Sequence, residues 1–290
     1  MSASVNPNPY QSARELQRVL RSNIGWVACG LALLLVIFPL LDIVGVVAWN
    51  GLSAFSLRLF TLSTTGATGG LRNAIEGTLI ITVFAMLIAV PIGVGAGIHL
   101  SEFGKNKTGS VIRFMSDVLT GTPSIVLGYF SYIVFISWFG WGFSLAAAAI
   151  TIAILIVPYL ARITELALQQ VPNTMREAAF ALGAADPTTV FKVVLPAASS
   201  GVITGALLAL AISVGETAPL IYTAGWSNYT WDGRFTHAPV AYLTYVIWTF
   251  IDQPDERSHS LAYAAAFLVM LVVLAINISV RLTVRRNRLV

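Results

Sequence analysis

Glu216 is the residue whose place in the sequence most demands a function. It stands in Ser213-Val214-Gly215-Glu216-Thr217-Ala218-Pro219-Leu220, inside a run that is otherwise apolar. A carboxylate there is costly unless it is paired, solvated or protonated, so a role in a solute path is the default reading. Gly215 and Pro219 loosen the backbone beside it, and Ser213 and Thr217 flank it with hydroxyls. A second polar interruption reads Asp117-Val118-Leu119-Thr120-Gly121-Thr122-Pro123-Ser124-Ile125-Val126. Gly121 and Pro123 break the helical pattern there. The break can free the N–H groups of Ser124 and Ile125 to face an anion. Thr122 and Ser124 add neutral hydroxyl donors. The structural alternatives are a proline kink satisfied by Ser and Thr hydroxyls, and a Glu216 that only closes a helix–helix gate.

Other chemistries lack their residues. A phosphate-cradling loop needs G-x-x-x-x-G-K-[ST], but Gly104-Lys105 is followed by Asn106, and His99 stands where the first Gly should be. Gly93, Gly95 and Gly97 fall inside an apolar run after Pro91, where close helix packing explains them better than a dinucleotide. The three histidines, His99, His237 and His259, lie far apart without paired ligand spacing. No nucleophile–base arrangement or paired-carboxylate site can be argued. If this protein uses ATP, another chain binds it.

The segment 172–196 is polar between two apolar runs and carries helix punctuation. Pro172 suits a helix start. Thr174 and Glu177 have the spacing of a capping box. Met175, Ala178, Ala179 and Leu182 share one helical face. Gly183 can take the left-handed conformation that ends the helix. Asp186 before Pro187 predicts a second N-cap. The expectation is two short helices around a small-residue corner.

These groups need a scaffold, and composition identifies it. Of 290 residues, 57% are hydrophobic and 10% charged, with a mean hydropathy of +0.80. Soluble domains carry about 25% charged residues. Apolar stretches long enough to cross a bilayer predict six spans, at 25–48, 73–99, 113–138, 143–165, 197–223 and 261–283. The fold class is an all-α integral membrane protein. Thirteen of the 17 Lys and Arg residues fall on one side, with Arg162, Arg176 and both terminal segments; Arg58, Arg72, Arg234 and Arg257 fall on the other. The positive-inside bias then puts both termini and the 166–196 loop in the cytoplasm. Basic residues beside span ends act as orientation signals, so the pI near 9.4 does not imply nucleic acid.

Residues 1–22 read as a cytoplasmic tail and 23–290 as one transmembrane domain. Arg14, Arg18 and Arg21 precede an apolar run too long for a secretory signal, as in an uncleaved anchor. Cys29, the one cysteine, reads as a small packed residue. Segment 224–260 is the largest outer piece. Its middle, Ala241 to Ile251, is apolar and too short to span, which predicts a re-entrant or interfacial helix.

Two resemblances follow. Arg176 to Pro196, with Glu177-Ala178-Ala179, Gly183, Val193, Leu195 and Pro196 at fixed offsets, resembles the EAA loop of ABC importer permeases, with Val193 in place of the usual Ile. GETAPL at 215–220, with Gly121-Thr122-Pro123-Ser124-Ile125-Val126, resembles the permeases of the bacterial phosphate-specific ABC importer, of the PstA type rather than its PstC partner. The likeness covers most of residues 70–285, through Val157-Pro158-Tyr159 with Arg162 and Glu165. It implies a type I importer permease fold of six transmembrane helices with a cytoplasmic coupling loop, in the bacterial inner membrane. It implies inorganic phosphate as cargo and no enzyme active site. It also implies ATP and Mg on a separate ATPase dimer rather than a cofactor in this chain, a second permease of PstC type, and an external phosphate-binding protein.

The site residues implied are Glu216, Thr217, Ser213, Thr122, Ser124 and Arg162 for the substrate path. For ATPase coupling they are Glu177, Ala178, Ala179, Gly183, Leu195 and Pro196. One departure stands out. Related permeases often carry an arginine just before Gly-Glu-Thr, and Ile212-Ser213-Val214 supplies none, so the cation facing phosphate falls to the partner permease. The rival readings are a permease for sulfate or molybdate, a secondary carrier or channel, and a structural anchor. GETAPL argues against the first, the EAA spacing against the second and Glu216 against the third.

Overall fold

The computed structural model describes residues 9–66 and 68–287. The parts of the expected tail at 1–8, together with Ala67 and Arg288, lie outside the described residues. The chain divides into two compact units, Met1–Trp49 and Asn50–Val290. The first, where described, is one helix, α1 (Pro9–Ser53), which ends just inside the second unit. The expected boundary between tail and span at residue 22 is not a structural break, because the helix runs through it. Cys29 is exposed on α1 rather than packed, as are the described side chains around it.

The second unit is a helix bundle. Short α2 (Arg58–Thr61) leads to a two-stranded hairpin, β1 (Thr64–Thr65) and β2 (Thr68–Gly69), with Thr64 opposite Gly69. Long α3 (Arg72–Glu102) follows, then α4 (Lys107–Gly121) and α5 (Ser124–Ser131), which continues as a π-helical segment to Trp138. After α6 (Leu145–Gln169) come short α7 (Asn173–Ala181) and α8 (Asp186–Thr189), a π-helical turn at Val190–Val194, and α9 (Leu195–Gly215). The bundle closes with α10 (Ala218–Thr223), α11 (Leu243–Phe250) and α12 (Glu256–Asn287).

Five of these helices are long and apolar enough to cross a membrane: α1, α3, α6, the α8–α9 run and α12. The sixth expected span is a bent pair. α4 and the α5–Trp138 helix meet at 99° around Thr122-Pro123, so 113–138 is not one straight rod. Proline without an N–H, placed after glycine, accounts for the bend. α12 starts at Glu256, five residues before the expected span. The Asp255 carboxylate caps it, accepting from Ser258 N at 2.9 Å and Ser258 Oγ at 2.7 Å. These two bonds, the side-chain one foremost, hold the Asp255 carboxyl below its usual range.

The main core lies between α3, α6, α9 and α10, with Ile81, Ala85, Ile152, Leu160, Ala209 and Leu220 buried together. Small residues let α3 and α6 approach. A Cβ on Gly93 would lie 2.6 Å from Leu160 Cβ, and one on Gly97 2.5 Å from Thr164 Cβ. Gly95, the third of the series, faces open space. A second core joins α2 and α3 to α11 and α12 through Leu71, Leu243, Val246, Phe250 and Ala265.

Candidate functional site

The two polar interruptions come together. α4 ends at Gly121, Pro123 takes the N-cap position, and α5 begins at Ser124. Among the described residues, no backbone carbonyl receives the N–H groups of Ser124 and Ile125; the first bonds of the new helix run from Val126 and Leu127 to Pro123 O. On the other strand of the site, α9 ends at Gly215, Glu216 is extended (φ −68°, ψ 132°), and α10 starts after Thr217. α5 and α10 pack backbone to backbone: a Cβ on Gly128 would lie 2.5 Å from Pro219 Cα. This approach places the Ser124 side chain near the Glu216 carboxyl. Glu216 and Ser124 are both half-buried.

The other expected path residues divide. Ser213, one turn before Glu216, is buried, and its hydroxyl has no partner among the described residues. Thr217 is half-buried in the gap between α9 and α10 and makes no side-chain cap. Thr122 donates its hydroxyl back to Val118 O at 2.8 Å, so its proton serves α4 and only its lone pairs remain free. Arg162 lies elsewhere. It pairs with the buried carboxylate of Glu165 at 3.1 Å, one helical turn along α6. Arg113 of α4 reaches the same carboxylate at 2.6 Å and donates to Gly104 O and Leu100 O, beyond and within the end of α3. Gln169 completes the cluster. One buried carboxylate therefore joins α4, α6 and the end of α3.

Segment 224–260 contributes a residue that sequence reasoning missed. Leu243 N donates to Thr78 Oγ1 at 2.9 Å. Thr78 stands six residues inside α3, about 9 Å along its axis at 1.5 Å per residue. α11 thus starts well inside the bundle and leads back toward Asp255, which fits a re-entrant helix better than an interfacial one. Thr244, next along, donates to Glu216 O at 2.8 Å.

At the opposite end of α6 sits the 172–196 corner. Gly183 is left-handed (φ +80°). Ala184 N bonds to Ala179 O and Gly183 N to Phe180 O, the pair of bonds that defines a Schellman stop. The expected capping box is absent. Pro172 itself is the N-cap, so Thr174 lies already inside α7, and no side chain caps the helix. Asp186 is likewise the first helical residue of α8, after Ala185 as N-cap. Of the predicted apolar face only Ala179 is buried; Met175, Ala178 and Leu182 are exposed, as is Glu177. The π-turn before α9 has a cause in Pro196. An α-helix would aim the Lys192 carbonyl at its ring, and Leu195 N instead bonds five residues back to Val190 O.

The corner is fastened by Arg176, which was not among the expected site residues. Its guanidinium grips Glu102 at the end of α3 with two bonds, at 2.9 and 3.1 Å, and also donates to Leu168 O in the last turn of α6 and to Val171 O just past it. A cavity of about 490 Å³ opens here, lined by Glu102, Lys105, Arg113, Arg176, Phe180 and Asp186. The available signal was a lone basic residue in one polar loop and a lone acid at the end of another span.

Comparison with known proteins fits this geometry. The sequence profile of the family described as "Binding-protein-dependent transport system inner membrane component" matches residues 89–289. The chain is 43% identical over 268 residues to the phosphate transport system permease protein PstA 2 of Mycobacterium bovis, covering 92% of this chain and 89% of that one. It is 37% identical over 288 residues to the phosphate transport system permease protein PstA of Yersinia pestis, covering 96% and 95%. Among solved structures, the MetNI methionine ABC transporter in an inward-facing conformation matches with a TM-score of 0.63 at 20% identity. That match covers 74% of this chain and 95% of the other, and it shows a shared fold.

Proposed function

The chain belongs to the binding-protein-dependent transport inner membrane components, in the branch of the PstA phosphate permeases, and we propose that it carries inorganic phosphate through the site around Glu216. It is a multi-pass inner-membrane permease subunit of an ABC importer and not itself an ATPase. The family implies an ATPase and a binding protein as partners. Our finer reading adds a PstC-type second permease, an ATPase dimer, and both termini in the cytoplasm.

What carries the phosphate reading is the approach of the helix break at Ser124 to the helix break at Glu216, across the Gly128–Pro219 contact. It sets free amides at the start of α5, a serine donor and a carboxylate acceptor around one point. Amides and hydroxyls suit the oxygens of an oxyanion. A carboxylate by itself repels anions, yet phosphate near neutral pH still carries a proton, and Glu216 can accept a hydrogen bond from that P–OH group. Sulfate offers no such donor. A site built around a hydrogen bond rejects an analogue lacking it far better than an apolar pocket rejects a change of size. Ser213 and Thr217 add hydroxyls beside the acceptor, Thr122 lines the break, and Arg162 with Glu165 stands further along the path toward the coupling loop. A cation from the second permease completes the charge balance.

On the coupling side, α7 and the corner after it present Glu177, Ala178 and Gly183 to a groove of the ATPase, with Ala179 packed beneath them. Leu195 and Pro196 fix the turn into α9. The exposed Met175, Phe180, Leu182 and Phe191 give that surface its apolar content.

The test is the assembled transporter in proteoliposomes with ATP inside and binding protein outside. Labelled phosphate uptake is expected, with sulfate a poor competitor. Glu216→Gln should cut uptake sharply while the complex still assembles. Wild-type uptake by that variant would refute the path role, and loss of assembly would point to a structural one.

A further inference from the structure

We propose that Thr244 is a positioning residue for Glu216, and that it governs how well the path tells phosphate from oxyanions without a proton. The inference rests on the reading of Glu216 as the path carboxylate.

Glu216 sits in the gap between two helices, and its carbonyl has lost its place in the helical ladder. In an unbroken helix that oxygen would receive Leu220 N. Here Leu220 N bonds to Thr217 O at 3.1 Å instead. Thr244 Oγ1 fills the vacant position at 2.8 Å. The residue is 5% exposed, so water does not readily replace it. In an apolar surrounding an unpaired backbone carbonyl is strongly disfavoured. The hydroxyl therefore fixes the plane of the Glu216–Thr217 peptide, and with it the direction in which the Glu216 side chain leaves the backbone. Thr244 does not reach the carboxylate through this bond; it acts through the peptide.

The support extends one step further. The N–H of Leu243, the residue before Thr244, is held by Thr78 Oγ1, and the Thr78 hydroxyl donates in turn to Ala74 O at 2.8 Å. Thr78 is thereby both acceptor and donor. α3 locates the start of α11, and α11 locates the Glu216 peptide. A re-entrant helix too short to span thus carries a hydroxyl into the bundle, to the carbonyl that the break at 216–217 strands.

The experiment uses the complete transporter in proteoliposomes, with Thr244→Val, Thr244→Ser and the packing control Val246→Ala, a fully buried neighbour on α11. Phosphate uptake, the ratio of phosphate to sulfate transported, and co-purification of the other subunits are measured. Thr244→Val keeps the branched shape and removes the hydroxyl. It should lower phosphate uptake about tenfold, the scale of one lost buried hydrogen bond, and shift the ratio toward sulfate. Thr244→Ser should restore both, and Val246→Ala should leave the ratio unchanged. If Thr244→Val does not assemble, Thr244→Ala takes its place with the same expectation. Wild-type uptake and ratio in the hydroxyl-free variant would overturn the proposal. So would a serine variant as impaired as the valine one, or an equal shift in Val246→Ala. A wild-type complex that moves no phosphate would instead refute the function proposed above.

Discussion

Arg176 and Glu102, seventy-four residues apart, form a two-pronged ion pair between α7 and the last residue of α3. α7 buries only Ala179 against the bundle, so this pair and the bonds from Arg176 to Leu168 O and Val171 O are its main polar fastening. Under the proposed docking of an ATPase on α7, these bonds would carry its movement to α3 and α6.

Arg176→Ala should consequently separate ATP hydrolysis from transport. Uptake should fall at least about tenfold, since loss of one partner leaves a partly buried charge uncompensated. ATP hydrolysis should persist or lose its dependence on the binding protein. Arg176→Lys should not rescue, because a single ammonium cannot reproduce the two parallel bonds or the two carbonyl contacts. The quantity to measure is the ratio of phosphate moved to ATP consumed, and an unchanged ratio in Arg176→Ala would refute the route.

Gly183 makes a different demand on the same corner. A Cβ there meets open space, so only the left-handed φ of +80° restricts the residue. Gly183→Asn should retain coupling, because Asn tolerates that region. Gly183→Val should lose it, because a β-branched residue is a genuine outlier there. ATPase co-purification and phosphate uptake measure both. Equal behaviour of the two variants would show that backbone conformation at 183 is not what the corner requires.

Much of the bundle was legible because hydropathy and special residues act locally. Gly121-Thr122-Pro123 announced the broken helix, Gly183 the helix stop, and Glu216 a carboxylate in an apolar run. The features that escaped depend on where distant segments meet. Arg176 and Glu102 are each an ordinary loop charge until the fold pairs them. Thr244 is one threonine in an apolar stretch, and nothing beside it in sequence reveals that it reaches Glu216 O. The capping box at Thr174 and Glu177 had the right spacing. It did not form because Pro172 starts the helix earlier, which puts Thr174 past the cap position.

Topology gives a prediction independent of transport. The basic asymmetry puts Lys107 and Arg288 inside and Ser227 outside. Ser227 is held near the start of α3 through its carbonyl, which accepts from Asn73 Nδ2 at 2.8 Å. Single cysteines at these positions, in a chain whose Cys29 is replaced, should react with an impermeant thiol reagent in intact cells only at 227. Labelling of 107 or 288 from outside would reverse the orientation and remove α7 from reach of a cytoplasmic ATPase.

The close approach of α5 and α10 supplies the sharpest test of the site geometry. Gly128 lies against Pro219 with no space for a methyl group, and the atom in the way is backbone, which cannot swing aside. Gly128→Ala must therefore push α5 from α10. Ser124 lies one turn before Gly128, and Glu216 lies three residues before Pro219, so the displacement falls on the approach of Ser124 to Glu216. Overpacking of this kind costs about 1–3 kcal/mol where the surroundings are well packed. The chain should still assemble, and phosphate uptake should drop by about one to two orders of magnitude, as that energy implies. Gly95→Ala, on a helix face with open space, is the control and should transport normally. A Gly128→Ala transporter with normal uptake would mean that the close approach of Ser124 to Glu216 is not needed for transport, whatever the role of each residue alone.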